Sequence, residues 1–374
     1  MSLGQKILQE ITARGALPFA RFMELALNCP DSGFYEKEPD TVGRSGDFYT
    51  SVSVGRLFGE LLAFDFAGKL TQLETRNPEL GTQIIEAGAH DGKLARDILS
   101  WLQPRRPELY ERLEYVILEP SARRRSWQQA TLGAHSDKVR WLEALPTRHS
   151  ALGTRHFHGV IFANELLDAL PVHRLGWDAR SSQWFEWGVQ MADEKFFWSR
   201  MSLTADVASE FSRLLGCPTA VLDVLPDGFT TEICPAATVW WTQAAQTLGR
   251  GYLVTLDYGL TGEEFFQPHR RDGTLRSYHR HQLVTDVLAQ PGEQDITAHV
   301  NFSAIQSAGE AAGLRTEFFG PQSQFLTAIA GEAWKHDGGF GEWQSTQTRQ
   351  FQTLTHPDFL GRAFRVLVQS RAGR

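Results

Sequence analysis

The spacing of apolar residues along the chain changes from a helical pattern to an alternation of strands and helices. Over the first 80 residues, apolar positions recur at helical spacing and predict helices at Gly4–Ala13, Phe19–Leu27 and Leu57–Leu70. From about Gln83 to Ala163, short apolar runs alternate with helical segments, which is typical of βαβ units in a parallel sheet. The sequence therefore predicts an α/β protein with a doubly wound sheet that follows an N-terminal helical segment.

Residues 172–250 interrupt this alternation. Apolar runs on either side of Ala192-Asp193-Glu194 predict a hairpin, and Ala205–Leu215 and Val239–Leu248 predict helices. The sheet pattern resumes at Tyr252–Asp257 and is expected to close with an antiparallel pair of strands. The chain is thereby divided into an N-terminal helical segment with a lid loop (1–80), the first part of the sheet domain (81–171), an inserted α+β element for substrate recognition (172–250) and the second part of the sheet domain (251–374).

The turn after the first predicted strand is the first candidate ligand site. The strand ends at Glu86, the turn contains Gly88 and Gly92, and a helix follows. Glycine lets a ligand approach the backbone closely, and a helix N-terminus offers unpaired N–H groups. A dinucleotide-binding turn needs glycine at its first, third and sixth positions, but the last two are His90 and Lys93 here. The spacing favours S-adenosylmethionine, which has no phosphate groups; the alternative is that the glycines serve only packing.

An acidic residue also ends the next predicted strand. Glu119 follows the apolar run Tyr115–Leu118, at the place where one carboxylate can accept hydrogen bonds from both hydroxyls of a ribose. The alternative is an ion pair between Glu119 and one of the three arginines in the following helix, Arg123, Arg124 and Arg125. Because Glu119 comes one crossover after the Glu86–Gly92 turn, the ribose interpretation is favoured.

Three polar residues follow the buried strand Val160–Ala163. Asn164, Glu165 and Asp168 lie at its carboxyl end, where open α/β sheets place their sites. A helix cap explains one of them, either Asn164 or Asp168. Three polar side chains in five residues exceed what a cap needs, so this segment is a candidate for the reacting end of the site.

Further blocks complete a pattern that runs through nearly the whole chain. In order, the blocks are Gly46–Ser51 with Phe58-Gly59-Glu60, Glu86–Leu99, Glu119 with Ser121 and Gln128, Asn164–Pro171, Leu256–Gly259, Gly273–Arg276 and Asp295–Phe302. Together they resemble the MidA family of S-adenosylmethionine-dependent methyltransferases, whose mitochondrial members methylate protein arginine during assembly of respiratory complex I. The resemblance implies a Rossmann-like methyltransferase sheet, S-adenosyl-L-methionine as cofactor, and a protein substrate such as a respiratory complex subunit.

The motifs and the resemblance together assign site residues. For cofactor binding we expect the lid loop Gly46–Ser53 to close over the ligand, and the contacting residues to be Asp47, Thr50, Glu86, Gly88, His90, Gly92, Glu119 and Asn164. An arginine acceptor has a pKa above ~12, so carboxylates must localise its charge. Glu165 is the first candidate for this clamp, with Asp168 beside it. Glu232, which matches an acid of the family, is the second; a surface ion pair is the alternative for both glutamates.

The chain departs from the family pattern at two places. Gly88-Ala89-His90-Asp91-Gly92 stands where the family usually has Gly-Pro-Gly-x-Gly, and Val52-Ser53 stands where the family continues with Pro-Glu. These departures keep a second function open, a cofactor-binding assembly or chaperone module with weak or no catalysis. A third is a methyltransferase that acts on a small molecule.

Composition limits the remaining possibilities. The net charge of −7, without a long basic run, disfavours nucleic-acid binding. Cys29, Cys217 and Cys234 have no paired spacing, which indicates a reducing compartment and no structural metal. None of the apolar runs approaches the roughly 20 residues of a membrane span. Met1–Gly15 lacks the features of a signal or transit peptide, and the sequence therefore predicts a cytoplasmic protein.

Overall fold

The computed structural model of the protein describes residues 1–37, 50–76, 82–146, 157–215, 224–279, 282–335 and 340–372. Its helices are α1 (Leu3–Arg14), α2 (Phe19–Asn28), α3 (Ser51–Val54), α4 (Leu57–Arg76), α5 (Lys93–Arg105), α6 (Pro107–Arg112), α7 (Ala122–Leu132), α8 (Ala205–Leu215), α9 (Pro235–Thr247), α10 (Gly262–Phe265), α11 (Phe302–Ala311), α12 (Gln322–Lys335), α13 (Ser345–Thr355) and α14 (Leu360–Ala363). Its strands are β1 (Leu17–Pro18), β2 (Gln83–Ala87), β3 (Glu114–Leu118), β4 (Val139–Leu142), β5 (Phe157–Asn164), β6 (His173–Asp178), β7 (Gln183–Ala192), β8 (Lys195–Met201), β9 (Thr230–Ile233), β10 (Leu248–Leu260), β11 (Arg276–His279), β12 (Gln282–Leu283), β13 (Asp295–Thr297), β14 (Val300–Asn301), β15 (Arg315–Pro321) and β16 (Phe364–Arg371).

The central sheet has the strand order β15-β16-β10-β5-β2-β3-β4, with β14 paired to the end of β10. The five strands from β10 to β4 are parallel, and β16 and β15 are antiparallel at the other edge. Strands β2, β3 and β5 are buried along almost their whole length, which is why they read as continuous apolar runs. The doubly wound α/β fold and its closing antiparallel pair are confirmed.

Helices cover both faces of this sheet. On one face, Phe66 of α4 packs against Phe162 of β5 with ring centroids 5.0 Å apart, in a core that also contains α5 and α12. On the other face, the fully buried Trp241 of α9 donates a hydrogen bond of 2.8 Å from Nε1 to Gln369 Oε1 of β16. These two layers hold the carboxyl ends of the parallel strands in fixed positions.

The inserted residues form a second sheet with the order β1-β7-β6-β9, and β8 pairs with β7. The predicted hairpin is present, and Asp193 and Glu194 turn it with φ of 48° and 62°. Leu17 of β1 pairs with Val189 of β7, so the N-terminal segment adds a strand to the insert. The first helices and the inserted strands therefore share one core, while the four-part division of the chain stays a prediction.

Within the described ranges, no helix combines the length and the apolarity that crossing a bilayer requires.

Candidate active site

A cleft of about 590 Å³ opens at the carboxyl ends of β2, β3 and β5, a volume in the usual range for ligand sites. Of the predicted site residues, the structure brings together at this cleft Thr50, Glu86, Gly88, His90, Glu119, Asn164, Glu165 and Asp168. Asp47 and most of the predicted lid loop lie outside the described residues. Parallel strands end at one edge of the sheet, and this explains why residues so far apart in sequence meet.

The turn after β2 is built from residues with left-handed backbone. Gly88, His90 and Gly92 have φ of 75°, 45° and 84°. A Cβ atom at Gly88 would lie 2.9 Å from Leu166 Cδ1, so this position needs glycine both for its conformation and for space. Histidine tolerates a positive φ better than most residues do. The departure from the family pattern at His90 is therefore compatible with the turn, which passes close to the cleft, while Gly92 lies behind it at the start of α5.

Glu86 is almost fully buried at the end of β2. Its Oε2 accepts a hydrogen bond of 2.6 Å from the Tyr115 hydroxyl. Burial raises the pKa of Glu86 to about 7, partly offset by the hydrogen bond from Tyr115. A positively charged ligand group beside Glu86 would favour its ionised form.

Glu119 is buried at the end of β3 and takes part in a hydrogen-bond network. Its Oε1 accepts from the Ser121 backbone N–H and from Arg124 Nε, both at 2.9 Å. Its Oε2 accepts from Gln128 Nε2 at 3.2 Å, and the same amide group donates to the His90 carbonyl at 3.0 Å. The predicted alternative, an ion pair with an arginine of the next helix, is thus present, and Glu119 nevertheless lines the cleft.

Two polar residues at the end of β5 face the same cleft. Glu165 has a φ of 50°, and its Oε1 accepts hydrogen bonds from the Ser51 backbone N–H at 3.0 Å and from Asn164 Nδ2 at 3.1 Å. Burial, followed by repulsion from Asp168, raises the pKa of Glu165 to about 8. Asn164 Oδ1 is buried and has no hydrogen-bond partner among the described residues, which marks an acceptor available to a ligand donor.

Asp168 belongs to a cluster of buried carboxyl groups. Burial and the neighbouring Asp257 and Asp295 raise its pKa well above the ordinary value. Burial and Glu165 raise the pKa of Asp257 to about 8, although its Oδ2 accepts a 2.9 Å hydrogen bond from the Leu167 N–H. The cluster concentrates acidic groups that are themselves buried beside the cleft.

Sequence reasoning missed several residues of this site. Asp257 ends the apolar run of β10, so the rule that found Glu119 would also have found it. Asp295 opens the Asp295–Phe302 block but was not assigned to the site, and Tyr35 gave no local signal; the Tyr35 hydroxyl donates a 2.7 Å hydrogen bond to Asp295 Oδ1. Glu36, the neighbour of Tyr35, contacts Arg124 and was missed for the same reason.

The short helix α3 explains the second departure from the family pattern. Thr50 Oγ1 accepts a hydrogen bond of 3.0 Å from the Ser53 N–H, and Ser53 Oγ accepts one of 3.1 Å from the Thr50 N–H. This reciprocal pair is a capping box, whose second position is usually occupied by glutamate or glutamine. Ser53 takes this position here, so α3 keeps its cap although the glutamate of the family pattern is absent.

Glu232 does not join the cleft, which corrects its assignment as a second clamp. It lies in a separate cavity of about 20 Å³ that also contains His299. Its Oε2 accepts hydrogen bonds from the Thr274 N–H at 2.7 Å and from the Thr274 hydroxyl at 3.0 Å, and Arg174 Nε lies 3.6 Å from its Oε1. Glu232 thus fixes the position of the chain at Thr274.

Comparisons with known proteins identify the family. A family described as S-adenosyl-L-methionine-dependent methyltransferases matches residues 61–320. The chain belongs to this family, the MidA methyltransferases. A crystal structure of a COG1565 superfamily member from Burkholderia thailandensis, bound to S-adenosyl-homocysteine, is 31% identical to the MidA-family chain described here, with a TM-score of 0.81 over 99% of this chain and 92% of that one.

Curated relatives of this MidA-family member carry more specific names. The Drosophila melanogaster protein named "Protein arginine methyltransferase NDUFAF7 homolog, mitochondrial" is 27% identical over 98% of this chain and 84% of its own length. The Homo sapiens protein arginine methyltransferase NDUFAF7, mitochondrial, is 26% identical over 82% of this chain and 69% of its own length. The prediction of a cytoplasmic protein is wrong, because these named relatives are mitochondrial and point away from the cytoplasm.

The chain is therefore a methyltransferase that uses S-adenosyl-L-methionine. The cleft residues fit this cofactor. Asn164 Oδ1 offers a buried acceptor without a partner in the described part of the chain, and the left-handed turn at Gly88 and His90 brings the backbone close to the cleft. The cofactor carries an ammonium group and two ribose hydroxyls. Asn164, Glu86 and Glu119 can accept hydrogen bonds from these donors.

Proposed function

We propose that this methyltransferase transfers the methyl group to an arginine side chain of a protein. The observation that carries the proposal is the carboxyl cluster formed in the cleft by Glu165 and Asp168, with Asp257 and Asp295 next to them. Burial and mutual repulsion raise the pKa values of Glu165, Asp168 and Asp257, so the cluster is stabilised when a cation enters. A guanidinium is such a cation, and it keeps its charge at any working pH.

Cofactor binding is assigned to one side of the cleft. Glu86, Gly88 and His90 are proposed to contact the amino-acid end, and Glu119 the ribose, with Asn164 between them. Gly92 supports the turn, and Asp47 and Thr50 are proposed to face the cofactor from the lid loop. When bound, S-adenosylmethionine supplies an electrophilic methyl group. The remaining requirement is to present one desolvated nitrogen of the acceptor in line with that methyl, which makes positioning and electrostatics decisive.

Glu165 is proposed to orient the acceptor guanidinium. A carboxylate that accepts two N–H groups draws the positive charge toward those nitrogens and leaves lone-pair density on the third. The Ser51 N–H and Asn164 Nδ2 both donate to Glu165 Oε1, so its carboxylate is held in one orientation. The methylated nitrogen must lose a proton, and Asp168, once the bound cation has ionised it, is a suitable acceptor because its raised pKa makes it a stronger base.

Two further considerations support arginine over other acceptors. Several acceptor oxygens at different positions suit the five donors of a guanidinium better than the single point charge of an ammonium. The related proteins from Drosophila melanogaster and Homo sapiens are named as protein arginine methyltransferases. A subunit of a respiratory complex is the first acceptor to test, on the basis of the resemblance.

The test is to incubate the purified protein with radiolabelled S-adenosylmethionine and a lysate of the source cells, and to locate the label by mass spectrometry. Label on arginine of a protein is expected. A synthetic peptide around that arginine should accept methyl, and the same peptide with lysine in its place should not. Label on lysine or in the small-molecule fraction would overturn the arginine proposal. Tight binding of S-adenosylhomocysteine without any transfer would favour the cofactor-binding module.

A further inference from the structure

The 3₁₀ turn Phe34–Glu36 contacts both sides of the cleft, although it belongs to none of the sequence motifs. On one side, the Tyr35 hydroxyl donates to Asp295 in the carboxyl cluster at 2.7 Å. On the other side, Glu36 reaches the residues that follow β3. Ser121 Oγ donates to Glu36 Oε2 at 2.8 Å, and Arg124 Nη1 lies 3.1 Å from Glu36 Oε1.

Arg124 lies between two carboxylates. Its Nη1 faces Glu36 at 3.1 Å, and its Nε donates to Glu119 Oε1 at 2.9 Å. The side chains of Glu36, Arg124 and Glu119 are 12%, 13% and 3% exposed, so water screens their charges weakly. The two carboxylates and the guanidinium together carry a net charge of −1. The side of this trio that faces the cleft is therefore electronegative.

The number of hydrogen bonds at Glu119 shows why this arrangement matters. A carboxylate has about four acceptor positions, and the described residues fill three of them: Ser121 and Arg124 at Oε1, and Gln128 at Oε2. Arg124 holds Glu119 through Nε, and its Nη1, on the opposite edge of the guanidinium, is held by Glu36. An arginine released by Glu36 could tilt so that Nη2, the nitrogen on the same edge as Nε, also reaches Glu119, since bidentate pairing is the preferred geometry. That pairing would fill the last position.

We propose that Glu36 is a positioning residue for the cofactor. It holds one arm of Arg124, prevents bidentate pairing of Arg124 with Glu119, and so keeps an acceptor position of Glu119 open for a ribose hydroxyl of S-adenosylmethionine. This inference rests on the proposed ribose role of Glu119. It assigns a part in cofactor affinity to a residue that precedes the Glu86–Gly92 turn by fifty positions.

The experiment measures S-adenosylhomocysteine affinity by calorimetry on the full chain. Glu36→Gln keeps the size of the side chain and removes its charge, and affinity is expected to fall about tenfold, the equivalent of one hydrogen bond. Glu36→Asp keeps the charge and should recover part of the loss. Glu293→Gln is the matched control, because Glu293 pairs with Lys37 next to the turn and does not contact Arg124; its affinity should equal that of the wild type.

A double-mutant cycle tests whether Glu36 acts through Arg124. In an Arg124→Gln background, Glu36→Gln should cause no further loss of affinity, because the arm that Glu36 holds is gone. An equal loss in both backgrounds would overturn the proposal. In the assay with radiolabelled S-adenosylmethionine and lysate, Glu36→Gln should raise KM for the cofactor and leave kcat unchanged. A fall in kcat alone would also overturn the proposal.

Two measurements separate the failure of this inference from that of its premise. If Glu119→Gln binds as tightly as the wild type, the ribose role of Glu119 is wrong and the inference falls with it. If Glu119→Gln binds more weakly but Glu36→Gln does not, only the positioning role fails. Urea unfolding of each ligand-free variant monitors folding. If Glu36→Gln does not fold, Glu36→Ser takes its place in the affinity measurement. Wild-type affinity in Glu36→Ser would overturn the proposal, and weaker binding would support it.

Discussion

At the scale of the residue, the most informative position is Glu165. Its φ of 50° is uncommon for a residue with a side chain, and conformations of this kind cost about 1–3 kcal/mol. The backbone N–H of Glu165 donates to the Leu256 carbonyl at 3.0 Å, which ties this strained residue to β10. The bend turns the chain away from β5 at the cleft and brings the carboxylate against the N-terminus of α3.

Replacing Glu165 by glutamine tests its proposed role. Glu165→Gln should slow methyl transfer by about 10- to 150-fold, the range for loss of a charged hydrogen bond, and should leave S-adenosylhomocysteine affinity unchanged. Because the pKa of Glu165 is raised to about 8, the ionised fraction grows as pH rises toward 8, and the wild-type kcat/KM for the acceptor should rise with it. The variant should lack this rise.

The control for this prediction is Glu332→Gln, the same chemical change at a glutamate on α12 that pairs with Lys335. It should behave as the wild type. Loss of cofactor affinity in Glu165→Gln would place Glu165 among the cofactor ligands. A wild-type transfer rate would remove it from the mechanism.

At the scale of the element, the short helix α3 contacts both Glu165 in the cleft and the helix α12. It has a single turn, so it depends on its capping box at Thr50 and Ser53 and on tertiary contacts. The first backbone N–H of the helix, at Ser51, donates to Glu165, and the Ser51 hydroxyl donates to Gln322 of α12 at 3.1 Å. A small helix is thereby coupled to the position of the Glu165 carboxylate.

Removal of the cap should loosen this helix. Thr50→Ala is expected to destabilise α3 by about 0.5–2 kcal/mol, the usual cost of an N-cap. Faster hydrogen exchange at residues 51–54 and weaker protection on adding S-adenosylhomocysteine are expected. Ser2→Ala, which removes the equivalent capping box at α1, is the control and should leave exchange at 51–54 unchanged. Equal exchange at α3 in Thr50→Ala and the wild type would contradict the prediction.

At the scale of the whole molecule, the sheet gathers several buried acids at one edge, and this has a consequence for stability. The pKa values of Glu86, Glu165 and Asp257 are raised to about 7, 8 and 8 from 4.5, 4.5 and 3.8. At a pH between the unfolded and the folded pKa of each group, its carboxyl is mostly protonated in the folded state and mostly ionised in the unfolded state. The folded state therefore binds more protons than the unfolded state in this range. The free energy of unfolding therefore decreases as pH rises from about 4 to 8 through these groups.

The measurement compares urea unfolding of ligand-free wild type and Glu165→Gln at pH 5 and pH 8. Titrating groups remote from Glu165 contribute equally to both proteins, so the difference reports Glu165 together with Asp257, whose pKa Glu165 raises. The variant should gain stability relative to the wild type at pH 8, where the wild type carries a buried charge that the variant lacks. A relative loss at pH 8 would show that the ionised carboxylate is stabilised in the folded state.

Local sequence patterns determined a large part of this protein. The sequence predicted the strands β2, β3 and β5 because a buried strand requires consecutive apolar residues. It predicted the turn from Glu86 to Gly92 because left-handed backbone favours glycine. The acids that end these strands were readable for the same reason, since their position relative to the sheet edge follows from the strand itself. The fold followed from these features, and the methyltransferase class from the resemblance of the wider set of blocks to the MidA family.

Only the tertiary structure decided which residues meet across the cleft. Glu232 and Glu165 were both predicted as clamps, yet Glu232 is held at Thr274 in a separate cavity. Tyr35 and Asp295 are 260 residues apart and form one hydrogen bond, and no periodicity records such a contact. A side chain's partner depends on how distant elements pack, whereas a pattern along the chain reports only each element's own exposure.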